Sequence, residues 1–251
     1  MPYKKGRPVI DLSIFFRIAT FLTFYPLWPF AMLINYLMFF TRYKYRYRMY
    51  NVKRAITVSN HTTFLDPVKI SGLVLPRFMY QTLLEATVLF PFVGTLTRLL
   101  GGVPIPVSRD GYQRIHDICE HSFKKSRFFH FYSEGECFLY NQKINELKPG
   151  AFRLAAELDI PLIPLVTVLT EGPFPAFSFW GRSLPFEQLV VLEPVNPADY
   201  VRRNENGEIS PESVKEFAEA VRQMMQAEID KRGGSHVFYK GQMQRIKGLN
   251  D

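Results

Sequence analysis

The sequence predicts an α/β fold: a mainly parallel central sheet flanked by helices, preceded by an N-terminal membrane-associated helical hairpin. Three observations carry this. From residue 55 onward, β-prone runs alternate with helical patterns, the arrangement of strands joined by crossover helices. The runs at residues 55–58 and 160–168 read as buried strands, rich in the β-branched residues that pack well on a pleated surface. Residues 12–40 are overwhelmingly apolar. The chain of 251 residues is long enough for one substantial core. The expected division is an anchoring hairpin with a basic segment at 1–54 and a globular domain at 55–251.

Hydrophobic residues make up 47% of the chain and aromatics 15%, which excludes a disordered protein. The net charge is +8, and its distribution matters more than its size. Residues 1–65 hold ten of the 31 basic residues and one acid, Asp11, so the rest of the chain is close to neutral. The two cysteines, Cys119 and Cys137, have neither C-x-x-C nor metal-type spacing, which argues against a disulfide framework.

The apolar segment 12–40 is interrupted by Arg17, Pro26 and Pro29. As one straight helix it would reach roughly 44 Å, enough to cross a bilayer core. Proline inside a helix removes a hydrogen bond and kinks it. Split at the prolines, the segment becomes two short arms, and a hairpin dipping into one leaflet is expected in preference to a kinked transmembrane span. Basic flanks at Lys4, Lys5 and Arg7 and at Arg42, Lys44, Arg46, Arg48, Lys53 and Arg54 place both ends on the cytoplasmic face. Bases alternate with tyrosines over residues 42–50, a pattern that could stack on nucleic acid. Directly after a membrane segment it reads instead as a clamp for anionic headgroups, with no nucleic-acid partner.

The sequence Ala-Ile-Thr-Val-Ser-Asn-His-Thr-Thr-Phe-Leu-Asp-Pro at 55–67 runs from a strand, through a loop bearing His61, into a helix that Asp66 is expected to cap ahead of Pro67. A loop entering such a helix can fold the imidazole back onto the carboxylate. A histidine held this way is fixed in tautomer and stabilised once protonated, as a general base for a hydroxyl must be.

Farther on, residues 77–81 suggest a short strand, 88–100 an apolar helix stopped by Gly101-Gly102, and 103–109 an extended edge segment ending in Arg109. Asp110 is expected to cap a helix running to residue 125. His116 and His121 on it are five apart, on different faces, and no metal site is expected there. The β-prone run 127–132 ends in Ser133-Glu134-Gly135-Glu136-Cys137. Residues 148–152 lead into a helix, 171–186 form an irregular Pro- and Gly-rich loop, and 187–192 offer a last strand. Ser210-Pro211-Glu212 opens a helix with Val214, Phe217, Ala218, Val221, Met225 and Ile229 on one face.

Four of these stretches, in order over residues 55–170, resemble the motifs of the 1-acylglycerol-3-phosphate O-acyltransferase family. They are N-H-x-x-x-x-D at 60–66, the glycine-to-arginine run ending at Arg109, Glu134-Gly135 after a strand, and I-P-x-x-P at 160–164. The resemblance implies that His61 deprotonates an acceptor hydroxyl, that Asp66 supports it, that Arg109 binds the acceptor's phosphate, and that Glu134 and Gly135 belong to the acceptor-binding wall. It also implies an acyl donor, acyl-CoA or acyl carrier protein, with no other cofactor and no metal, and a lyso-lipid acceptor at a membrane. This sequence departs from the family's T-R-S after Glu134-Gly135, reading Glu136-Cys137-Phe138. Losing that arginine leaves open an acceptor without phosphate, such as an amino-acid-based lipid. A catalytically silent lipid-binding protein on the same scaffold is a further alternative.

Overall fold

The structure, a computed structural model, describes residues 10–11, 13–89, 92–105, 111–124, 126–171 and 185–244. In chain order the elements are α1 (Ile14–Phe39), β1 (Arg42–Lys44), β2 (Ala55–Ser59), α2 (Asp66–Val74), β3 (Tyr80–Leu84), α3 (Glu85–Leu89), α4 (Val93–Leu99) and β4 (Gly102–Ile105). There follow α5 (Gly111–Ser122), β5 (Phe128–Tyr132), β6 (Phe138–Leu139), α6 (Gly150–Glu157), β7 (Leu162–Thr170), β8 (Phe186–Val191), α7 (Pro211–Lys231) and β9 (Gly241–Gln242).

Among the described residues seven strands form one sheet in the order β1-β8-β7-β2-β5-β3-β4, parallel throughout except where β8 runs antiparallel to β7. The expected mainly parallel α/β sheet is therefore present, and β4 with its Pro104 lies at an edge, where a missing N–H does least harm. Strand alternation splits the core in two. Ile56, Val58, Phe129, Phe131, Val166 and Val168 face α5, α6 and α7. Ala55, Phe128, Ile163 and Leu165 face α2 on the other side. All six apolar positions expected on one side of α7 are buried, and Ser210 caps that helix by accepting from the Ser213 N–H.

The N-terminal hairpin is corrected: residues 14–39 form one helix. Pro26 and Pro29 both lie on its exposed side, so the hydrogen bonds they delete face outward while the inward side continues unbroken. That inward side lies along the domain. Phe24 packs edge-on to Phe78, the Tyr25 hydroxyl donates to the Pro76 carbonyl at 2.7 Å, and Asn35 donates to Thr41 at 2.6 Å. Gly72 makes this possible, since a Cβ there would stand 2.2 Å from the Tyr43 hydroxyl oxygen and 3.1 Å from Trp28.

The boundary expected at residue 54 is also crossed, because β1 is a strand of the main sheet, paired with β8. Arg46 donates to the carbonyls of Leu73 and Leu75, and Arg48 to that of Val191 while pairing with Glu193. These two bases are committed to the protein, whereas Arg42, Lys44, Lys53 and Arg54 remain exposed. The single helix expected over 88–100 is two, α3 and α4. A Cβ at Gly94 would come within 1.9 Å of the Val88 carbonyl oxygen, a crossing only glycine allows. Gly101 sits at φ +95, the left-handed stop expected of it.

Candidate active site

Ligands of open parallel sheets bind beyond the carboxyl ends of the strands, where the chain's progression reverses direction. Here that point lies at the ends of β2 and β5, since the chain goes from β2 outward to β3 and β4, inserts β5, and then crosses to β7. Asn60 ends β2 by exchanging two hydrogen bonds with the Thr167 backbone, at 3.0 and 2.9 Å. His61 is thereby delivered to the rim of the sheet.

The loop then turns back as expected, but by a different device. Leu65, not Asp66, is the N-cap of α2. The Asp66 carboxylate accepts from the loop N–H groups of Thr62 (2.7 Å) and Thr63 (3.0 Å), from the Thr63 hydroxyl (2.9 Å), and from His61 Nδ1 at 2.7 Å. A carboxylate spent on folding the preceding loop cannot also cap its own helix.

Asp66 is fully buried. Burial alone would raise its carboxyl, but the Lys69 ammonium and His61 outweigh this and hold it well below the usual carboxylate range. An ionised carboxylate only accepts, so His61 Nδ1 carries the proton and Nε2 is the basic nitrogen. The imidazole stacks on Tyr132, whose hydroxyl donates to Gln81 at 2.8 Å.

His61 opens onto a cavity of about 190 Å³, room for an organic group rather than a single water. Its wall is largely apolar, formed by Leu83, Leu84, Ile105, Met243 and Pro67, with Gly135, Glu136 and Cys137 on the other side. Gly135 thus lies on the cleft, at φ +77. Glu134 does not line it. Buried behind the wall, it accepts the His61 backbone N–H at 3.1 Å and the Asn145 side chain at 2.8 Å, so it fixes the histidine's backbone. Desolvation raises its carboxyl despite these donors. Arg109 and the helix cap expected of Asp110 lie outside the described residues, as does most of the loop expected at 171–186.

Several residues of the site were not singled out from the sequence. Lys69, fully buried, contacts Asp66 Oδ1 at 2.5 Å and also Glu187 of β8. An acid and a base three apart on a helix, D-x-x-K, was the available signal for the first pair; for Glu187 it was a lone acid in an apolar strand. His130 is buried between the hydroxyls of Thr57 (2.9 Å) and Ser59 (3.1 Å). Desolvation, with His61 nearby, pushes it down to about 3, so it stays neutral.

A doubly covered, mainly parallel sheet with a carboxylate-held histidine over an apolar cleft defines a class of α/β proteins whose histidine can accept a proton. Within that class the chain belongs to the acyltransferase family, whose model matches residues 42–168, half of the sequence. No curated protein matches the sequence. Among solved structures, the fold is similar to that of the 1-acyl-sn-glycerophosphate (LPA) acyltransferase PlsC from Thermotoga maritima, with a TM-score of 0.59 over 89% of this chain and 85% of that one, at 18% identity.

Proposed function

We propose that this acyltransferase moves a fatty acyl chain from an acyl thioester, acyl-CoA or acyl carrier protein, to the free hydroxyl of a lysophospholipid such as 1-acylglycerol-3-phosphate. The observation that carries this reading is the 2.7 Å contact between His61 Nδ1 and a buried, ionised Asp66, which leaves Nε2 to serve an apolar cleft. Nε2 takes the hydroxyl proton as the oxygen forms its bond to the thioester carbonyl. When the tetrahedral intermediate collapses, the C–S bond breaks and the imidazolium returns the proton to the departing thiolate. His61 and Asp66 are the catalytic residues, Gly135 lines the acceptor side, Glu134 holds the His61 backbone, and Arg109 binds the acceptor phosphate. The acyl thioester is the donor substrate, and no resident metal or cofactor enters the reaction.

The enzyme works at a membrane, on the cytoplasmic face of a bacterial inner membrane or its equivalent. Support comes from α1, whose outward side presents Phe15, Phe21, Leu22, Phe30, Leu33 and Leu37 to the surroundings. Because its inner side lies on the domain, the helix suits immersion alongside the protein in one leaflet.

One observation favours a second acceptor class. The position of the arginine in the family's T-R-S is taken by Cys137, which lines the cleft. A lyso-lipid without phosphate, such as an amino-acid-based lipid, fits that lining, with the rest of the mechanism unchanged.

The test is the purified protein offered a panel of lyso-lipids with a labelled acyl thioester, beside His61→Ala. Transfer to a phosphate-bearing acceptor, lost by a factor of about 10³ or more in the variant while membrane attachment is retained, is expected. Unchanged transfer in His61→Ala overturns the assigned base, and transfer only to acceptors lacking phosphate selects the second class.

A further inference from the structure

Three ionisable side chains meet with no access to solvent behind the imidazole: Asp66, Lys69 and Glu187. Lys69 reaches Asp66 Oδ1 at 2.5 Å, while His61 and the Thr62 and Thr63 N–H groups share Oδ2. One Glu187 oxygen accepts from Lys69. The other accepts from the Thr41 hydroxyl at 2.7 Å, and Thr41 accepts in turn from Asn35 of α1 at 2.6 Å.

Buried ion pairs rarely stabilise a fold more than apolar side chains of the same volume would. Stability therefore does not account for this one, but the histidine's chemistry does. An ammonium on Oδ1 orients Asp66 so that Oδ2 faces His61, yet by itself it cancels the negative charge that an imidazolium needs opposite it. A second carboxylate on the far side of the ammonium restores that charge.

We propose that Lys69 and Glu187 are positioning residues for the transfer. Lys69 orients Asp66, and Glu187 offsets the charge of Lys69, so that the buried cluster carries one net negative charge that protonation of His61 neutralises. This rests on the proposed role of His61 as the base.

Among the described residues, the other titratable groups around His61 come from β5 and the loop after it: His130, Tyr132, Glu134, Glu136 and Cys137. Burial keeps His130 neutral, and Tyr132 and Cys137 protonated, near neutral pH. Glu134 and Glu136 are common to every variant compared below.

The experiment follows the His61 ring by NMR across pH in the purified full-length protein without substrate, its resonance assigned with His61→Ala. The pH profile of kcat is measured alongside. Glu187→Gln keeps the bond to Thr41 and removes one charge. It is expected to move the His61 midpoint down by about one pH unit, and to lower kcat about tenfold while the KM values of donor and acceptor stay unchanged. Glu187→Asp, which keeps the charge, and Lys69→Met with Glu187→Gln, which restores the net charge by removing both members, are expected within roughly 0.3 unit of the wild type.

Superimposable wild-type and Glu187→Gln titrations overturn the proposal, as does a one-unit shift in either charge-conserving variant. Those two conserve the net charge of the cluster, so they carry the test even where Glu187→Gln does not fold. The NMR titration reads the cluster without turnover. A wild type inactive on every acceptor but with a moved midpoint thus defeats the proposed function, and with it the role in transfer, while the cluster's hold on His61 stands; an unmoved midpoint in an active enzyme overturns the inference and leaves the function standing.

Discussion

The ring of His61 lies against that of Tyr132, centroids 4.1 Å apart and planes inclined by 26°. Tyr132 is itself held, because its hydroxyl donates to Gln81, whose amide donates to the Pro67 carbonyl at 2.8 Å and the Ser71 hydroxyl at 2.7 Å. The histidine is thus fixed on two sides, by Asp66 in its plane and by Tyr132 on its face. A π-face also favours the imidazolium over the neutral ring. Tyr132→Phe keeps the stack and should hold kcat within about threefold, whereas Tyr132→Leu removes it and should lower kcat by about 10- to 30-fold. Steady-state kinetics of the two variants separate the stack from the hydroxyl.

His130 sets a pH dependence of stability. Its folded-state value, pushed down to about 3 by desolvation, lies below the roughly 6.5 of an unfolded histidine. Between those limits the unfolded chain binds a proton that the folded one does not. The stabilisation is therefore complete above about pH 6.5 and is lost as the pH falls toward 3, with a slope approaching about 1.4 kcal/mol per unit from this group. Asp66, held low, adds to the loss below about pH 4; Glu134 and Glu187, raised by burial, act in the opposite sense. Comparison with His130→Gln isolates the histidine, since glutamine also offers Thr57 and Ser59 a donor and an acceptor. Urea midpoints should show the wild type losing stability faster than the variant from pH 7 to 4.5, and parallel curves would refute the assignment.

What was legible in the sequence follows the range of the interactions. β2 and β7 are short apolar runs bounded by turn residues, and α7 repeats its apolar positions at helical spacing, so each could be read locally. The approach of His61 to Asp66 was legible for the same reason, since the two are only five positions apart and one loop closes the contact. The Lys69–Glu187 contact joins residues 118 positions apart and depends on β8 lying antiparallel beside β7, which no local pattern encodes. The N-terminal segment was misread because two prolines in an apolar run weaken a helix in isolation. Hydropathy does not say that one side of the run will lie along a protein surface, where packing holds the helix through both prolines.

Seating of α1 turns on Gly72, where the approach of Tyr43 and Trp28 leaves no room for a methyl group. Gly72→Ala must displace the Tyr43 hydroxyl, which donates to the Lys69 carbonyl at 3.0 Å, or move the helix that carries Trp28. The expected cost is about 1–3 kcal/mol, as for other overpacked sites. Limited proteolysis in detergent should then cut within residues 14–39 faster than in the wild type. Equal rates would mean that α1 is held elsewhere.

Cys137 offers the sharpest test between direct transfer and an acyl-enzyme. It lines the same cleft as His61, and the backbone N–H of Phe138 beside it donates to the His61 carbonyl at 2.9 Å, so proximity alone would allow a thioester relay. A relay needs a thiolate. Burial, with Asp66 nearby, pushes the Cys137 thiol far above its ordinary value and keeps it protonated. In the proposed direct transfer His61 serves the acceptor hydroxyl itself, and an attacking hydroxyl needs no intermediate carrier. Cys137→Ser should therefore retain kcat within about threefold, and no labelled acyl group should stay on the wild-type protein after donor is added without acceptor. A hydroxylamine-sensitive label on the wild type, together with loss of turnover in Cys137→Ser, would replace direct transfer by a two-step route through this sulfur.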